Sequence, residues 1–134
     1  MDSSLVSAAV VVIVLFVAFR MLPRLVAGVP FVAPDAVHVR LQDNPDAVLI
    51  DVRTPEEYAS EHVPDSINVQ PHTLGDDLEQ KKAFLDNKVY VMCLSSQRSA
   101  MAAKTLKNLG FTNVSVVKGG LTLWKKQGLP TSKS

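Results

Sequence analysis

Residues 93–99 read "CLSSQRS" and contain the one cysteine of the chain, Cys93. It ends an apolar run, and four residues separate it from Arg98. A helix-like pattern follows. In a tight loop between a strand and a helix, successive backbone N–H groups converge and form a nest for an anion. The helix dipole adds partial positive charge there, and Arg98 adds a full one. All three favour thiolate over thiol, and the thiolate is the nucleophile. The same cradle would hold an anion bonded to that sulfur. The opposing reading is plain packing, since free cysteine is among the most buried residue types. On these residues alone both readings stand.

The surrounding sequence has to place that loop. "PDAVHVRLQ" reads as a short helix with Pro34 in its first turn. "AVLIDV" is an apolar run of strand length, expected to be buried on both faces. "TPEEYAS" carries three helix-start signals: Thr54 suits the N-cap, Pro55 the first turn, and Glu57 completes a capping box. "SINV" reads as a brief strand, "LGDDLEQKKAFLD" as an amphipathic helix and "KVYVMCL" as the next strand. "SAMAAKTLKNLG" predicts a helix with Ala100, Ala103, Leu106 and Leu109 as its apolar stripe and Gly110 as its stop. "NVSVV" is a further strand, and "GGLTLWKKQG" a closing helix. This alternation predicts an α/β fold with a central parallel sheet flanked by helices. In such sheets ligands sit beyond the carboxyl ends of strands, which is where Cys93 falls.

The N-terminus is of another kind. Ala8 to Phe19 has no polar side chain, and Leu5 to Leu22 is apolar apart from Ser7 and Arg20. As a helix the latter span is about 27 Å long, near the hydrocarbon thickness of a bilayer. A cleaved signal peptide wants a basic start and a small-residue cleavage site, but Asp2 stands before the run and Arg20 and Arg24 stand after it. A core helix is seldom apolar all round. Residues 1–24 therefore read as a transmembrane anchor, with its span at about 5–22 in contact with lipid. Residues 25–33 read as a linker interrupted by Gly28 and Pro30, between Pro23 and Pro34. A folded domain occupies 34–131. Arg20 lies near the end of the span, Arg24 and Arg40 follow it and no basic side chain precedes it, so the positive-inside rule puts the domain on the cytoplasmic side of a single-pass membrane protein.

Composition excludes several classes. With 134 residues the chain has room for one domain, and a net charge of +1 gives no basic stripe for nucleic acid. One cysteine forbids an intrachain disulfide. His38, His62 and His72 are scattered, so no metal site is expected.

Two long stretches carry a resemblance. "LIDVRTPEEYASEHVPDSINV", Leu49 to Val69, is similar to the first signature of the rhodanese (sulfurtransferase) homology domain. "VYVMCLSSQRSAMAAKTLKNLGFTNVSVVKGGLTLWKKQGLP", Val89 to Pro130, resembles its active-site half, including the Cys-to-Arg-Ser loop, the Gly-Gly turn and the Trp-to-Gly-Leu-Pro ending. The resemblance spans Pro34 to Pro130. It implies a rhodanese-like fold in which Cys93 takes sulfur from a small sulfur-containing anion, such as thiosulfate, or from a protein persulfide. Leu94, Ser95, Ser96, Gln97 and Arg98 would bind the persulfide through their amides, and Arg98 and Ser99 would fix the loop. A thiol or cyanide acceptor would remove the sulfur, with no cofactor and no metal. The related phosphatases have a loop one residue longer, with room for a tetrahedral phosphate, and tend to carry His where Met92 stands. Phosphatase action is accordingly the weaker alternative.

Some positions depart from the family pattern. Leu94 and Ser96 replace an arginine and a glycine found in many family loops, which puts thiosulfate in doubt as donor. Glu61 and Asp65 replace common glycines on either side of His62. A non-catalytic docking module is a second alternative, against which the intact Cys93 speaks. Arg53 is expected to pair with a carboxylate at the strand–helix junction. His62 is expected to brace a turn, Trp124 to fill the core, and Lys125 and Lys126 to lie on a solvated face.

Overall fold

The structure, a computed structural model, describes residues 2–70, 73, 85–95 and 97–133. The amphipathic helix expected over 74–86 lies mostly outside them, as does Ser96. The elements are α1 Ser3–Ala27, β1 Phe31–Val32, α2 Pro34–Asp43, β2 Val48–Asp51, α3 Pro55–Ser60, β3 Ile67–Asn68, β4 Val89–Met92, α4 Gln97–Asn108, β5 Val114–Val117 and α5 Gly120–Lys126. The strands form one sheet in the order β1-β5-β4-β2-β3, and every pairing is parallel.

The central strands β4 and β5 are buried throughout, as the apolar run of β4 and the valines of β5 around the buried Ser115 require. Side chains alternate across the sheet. Val89, Val91 and Cys93 pack with Ile50, Ala102, Ala103 and Leu106 on the face covered by α4. Tyr90 and Met92 turn the other way, toward Val37 of α2 and Leu121 and Trp124 of α5. Trp124 is fully buried and its indole N–H donates to the Pro130 carbonyl at 2.9 Å.

Local signals explain several starts. Thr54 Oγ1 accepts from the Glu57 amide at 3.2 Å while Glu57 Oε1 accepts from the Thr54 amide at 3.2 Å, so the capping box is complete. Pro34 opens α2, where its missing N–H costs nothing. Arg53 is held as a buried strut: its Nε and Nη2 donate to the Asp51 carboxylate, and Nη2 also reaches the Glu61 carbonyl at 2.7 Å. Asn68 Nδ2 donates to the carbonyls of Asp51 and Arg53, tying β3 to the same junction. His62 braces the following turn, stacked on Tyr58 with ring centroids 3.9 Å apart and with Nδ1 2.7 Å from the Tyr58 carbonyl.

Two sequence expectations fail. The segment between Pro23 and Pro34 is not devoid of regular structure: α1 continues through Pro23 to Ala27, and Phe31–Val32 joins the sheet as edge strand β1 beside β5. Two residues are too few to show any periodicity, so β1 is invisible to pattern. It is fixed by ladder bonds, Val116 N–H to the Pro30 carbonyl at 2.9 Å and Lys118 N–H to Val32 at 2.8 Å. In α4 the buried stripe is Ala100, Ala103 and Leu106, joined by Ala102; Leu109 is exposed because the helix has ended at Asn108.

The first helix contains a run, Ser3–Met21, with mean hydropathy 2.5 and no part of it buried against the domain. Its length and composition suit a membrane span or a signal sequence. The helix touches α4, and Lys107 Nζ donates to the Gly28 carbonyl at 3.1 Å.

Candidate active site

Cys93 is the first residue beyond β4, at the carboxyl edge of the sheet. The strand's alternation turns its side chain toward α4, and it is completely buried. Its thiol donates to Ser99 Oγ at 3.5 Å. Ser99 lies in the first turn of α4 and is itself buried.

The loop after the thiol rests on the start of α5. The amide of Leu121 donates to the Cys93 carbonyl at 2.8 Å, and that of Thr122 to the Leu94 carbonyl at 3.1 Å. Contact this close needs glycine. Gly120 has φ +58°, and a Cβ there would lie 2.2 Å from the Ser95 oxygen and 2.4 Å from the Cys93 oxygen. Gly119 has φ +71°, and a Cβ there would lie 2.5 Å from Leu123 Cβ. Gly120 is thus the floor of the loop, and Gly119 makes room for Leu123 of α5.

Leu94 and Ser95 are exposed, Leu94 to 47 %. Gln97 opens α4. Arg98 is not a bare charge beside the thiol. Its Nη1 and Nη2 donate to the two carboxylate oxygens of Glu57 at 3.0 and 3.1 Å. That bidentate bond holds the Glu57 carboxyl down at about 2, against an ordinary 4.5. The same bond, with smaller contributions from Cys93 and Asp51, pushes Arg98 further up. Glu57 therefore links the capped start of α3 to the first turn of α4, directly after the thiol loop.

A cleft of about 350 Å³ opens against this loop. Arg53, Glu57 and Glu61 line it from the α3 side, and Leu94, Leu121 and Lys125 from the loop and α5. Glu61 Oε1 pairs with Lys125 Nζ at 2.6 Å, and its Oε2 accepts from Thr131 Oγ1 at 2.6 Å. Lys125 and then Thr131 hold the Glu61 carboxyl below the usual range. Lys125 is thereby part of the cleft and not simply a solvated side chain. Asp65 faces elsewhere. It lines a separate cavity of about 570 Å³ with His38, Leu49 and Pro130, and adopts φ 65°, a left-handed conformation that Asp tolerates better than most residues. Among the described residues no three His, Cys, Asp or Glu side chains converge on a point that could hold a metal ion.

Of the residues predicted from sequence, Cys93 and Ser99 are in contact, and Leu94, Ser95, Gln97 and Arg98 follow in one turn from strand to helix. The Glu57–Arg98 and Glu61–Lys125 pairs were not predicted. The capping box is the role its local sequence gives Glu57, and its partner Arg98 lies 41 residues away.

This combination, a parallel α/β sheet with a single thiol in a strand-to-helix loop, agrees with comparison to known proteins. The Rhodanese-like domain family matches residues 34–127, and the chain belongs to that family. It is 39 % identical over 79 residues to the thiosulfate sulfurtransferase GlpE of Pseudomonas syringae pv. syringae, covering 59 % of this chain and 73 % of that protein. It is 31 % identical over 96 residues to a sulfurtransferase of Allochromatium vinosum, covering 72 % and 88 %. The crystal structure of a rhodanese-related protein from Thermoplasma volcanium superposes with a TM-score of 0.68 at 27 % identity, covering 78 % of this chain and 99 % of that one. Relatives of these names make this a sulfurtransferase family.

Proposed function

We propose that the chain is a membrane-anchored sulfurtransferase that carries sulfane sulfur on Cys93. The observation that bears most weight is the seating of the thiol loop: Cys93 stands at the carboxyl edge of the sheet, its carbonyl held by the Leu121 amide and its loop resting on Gly120. The thiolate attacks the sulfane sulfur of a donor. The bond from that sulfur to the donor breaks, and the electron pair leaves with the donor as sulfite, sulfinate or thiolate. The persulfide Cys93–S–S⁻ remains. The amides of Leu94 to Arg98 stabilise its charge, and the Ser99 hydroxyl turns from acceptor to donor. A thiol or cyanide then attacks the outer sulfur and returns the Cys93 thiolate.

Helix α1 serves as a single-pass anchor spanning residues 5–22, with the domain of residues 34–131 on the cytoplasmic side. The support is its apolar run and the basic residues that follow it. One observation favours a second reading, a docking module without catalysis: the thiol is wholly buried.

Thiocyanate formation separates the two. The full chain in mild detergent, given cyanide and a sulfane donor, forms thiocyanate, and the Cys93→Ser variant does not. Equal rates from both proteins would refute the assignment of Cys93.

A further inference from the structure

The inference here rests on the anchor reading and concerns the surface beneath the domain. The apolar run ends at Met21, and the helix continues to Ala27. Residues 22–27 and the step to Gly28 cover about 10 Å. A headgroup layer is itself about 5–8 Å deep on each side of the hydrocarbon. Gly28 therefore stands just outside the headgroups. The domain begins there without slack, because α1 touches α4 and Lys107 Nζ donates to the Gly28 carbonyl at 3.1 Å.

The composition of α4 suits such a neighbour. Its 12 residues include no acid. Ala102, Ala103 and Leu106 face the sheet. The outer side carries Met101, 67 % exposed, and then Lys104 and Lys107, both exposed. Spacings of three place these side chains along one side of the helix. An exposed apolar side chain beside cations is the pattern of a helix lying in a membrane interface. The same sign of charge marks the exit of the span: from Ser3 to Pro34 the only charged side chains are Arg20 and Arg24. Basic residues thus run from the end of the span onto α4.

We propose that the outer face of α4, with Met101, Lys104 and Lys107, rests on the anionic lipid surface around the anchor, so that the domain is docked on the membrane and does not swing on a tether. The two lysines meet the anionic headgroups, and Met101 enters the layer between them. Gln97 opens α4 one turn before Met101, so the thiol loop works beside the lipid surface.

The full chain in vesicles tests this. In a Cys93→Ser background, one fluorophore is attached through Met101→Cys, or through Val39→Cys on α2, which covers the other face of the sheet. The vesicles are phosphatidylcholine with or without phosphatidylserine, and a lipid with a nitroxide on its headgroup quenches a dye that reaches the surface. The dye at position 101 is expected to be quenched in the anionic vesicles far more than the dye at position 39, and more than in phosphatidylcholine alone. Each lysine near an anionic surface strengthens binding about 5-fold. Lys104→Gln and Lys107→Gln are therefore each expected to lower the docked-to-free ratio about 5-fold. Salt at 1 M, where the Debye length is about 3 Å, is expected to release the face. Lys104→Gln keeps the Lys107 bond to Gly28, so its effect reports lipid contact and not the seat of α1. Quenching at position 101 no stronger than at position 39 overturns the docking and leaves this face to a protein partner. Quenching that ignores phosphatidylserine and Lys104→Gln overturns the part given to the lysines. Both results leave the anchor intact if the chain still floats with the vesicles after an alkaline carbonate wash. A chain stripped off by that wash overturns the anchor reading, and the docking with it.

Discussion

Gly120→Ala is the substitution whose cost the geometry fixes most tightly. Two costs add. Alanine in the left-handed region costs roughly 1–2 kcal/mol. The new methyl would also stand 2.2 Å from the Ser95 oxygen, 2.4 Å from the Cys93 oxygen and 2.7 Å from the Leu94 carbonyl carbon. Ordinary contact begins at 3.4 Å, so the loop has to retreat by about 1 Å, with overpacking of this kind costing about 1–3 kcal/mol. The sum is about 2–5 kcal/mol. Gly128→Ala is the matched control: its φ is +72° but a Cβ there meets nothing within 4 Å, so it carries the conformational cost alone. Urea unfolding of both variants measures the difference, and the rate of sulfur loading on Cys93 measures the consequence. A misplacement of about 1 Å at reacting atoms is worth about 100-fold in rate. Gly120→Ala is expected to lose that much, and Gly128→Ala to keep the parental rate. If Gly120→Ala is no less stable than Gly128→Ala and loads sulfur as fast as the parent, the loop is not seated on Gly120 and the reasoning fails.

Other outcomes follow from the same contacts. Arg53→Met strands the buried Asp51 carboxylate and is expected to cost about 3–5 kcal/mol by urea unfolding; a loss under 1 kcal/mol would show that Asp51 finds another partner. Glu57→Gln removes the bidentate bond to Arg98. Because the folded-state Glu57 titrates at about 2 and the ordinary carboxyl at 4.5, its contribution is complete above about pH 5 and is lost as pH falls toward 2. Both partners are partly exposed, so the contribution is at most about 1 kcal/mol. Parent and variant melting temperatures should differ at pH 7 and converge near pH 2; a constant gap would refute the pairing. Removal of residues 1–28, which leaves β1 in place, is expected to move the chain from the membrane fraction to the soluble one. A truncated chain still pelleting with membranes would end the anchor proposal.

Much of the fold was legible because it rests on short-range signals. Valine- and leucine-rich runs marked β2, β4 and β5, since a parallel sheet buries both faces of its inner strands. Thr54, Pro55 and Glu57 marked α3 through a cap that spans three residues. The ordered motifs around Asp51, Cys93 and the Gly-Gly turn pointed to the site. What stayed hidden depends on distance. β1 is two residues long, and only its partner β5, far along the chain, makes it a strand. Arg98 was expected to turn its charge on the thiol, but Glu57 lies within its reach and a bidentate carboxylate is the better partner. Glu61 and Lys125 met for the same reason, brought together by α3 and α5 across the cleft. The Gly-Gly turn was visible as a motif, while its cause, a carbonyl backbone lying where a Cβ would go, needed coordinates.

The central claim is that Cys93 carries sulfur. The most direct measurement is the intact mass of the full chain after incubation with a cysteine desulfurase and cysteine, or separately with thiosulfate or methanethiosulfonate, alongside Cys93→Ser. The account predicts a gain of one sulfur atom from at least one donor, absent in Cys93→Ser and removed by cyanide. An unchanged mass with every donor, while the native protein's Cys93 still reacts with a small alkylating agent, would contradict it.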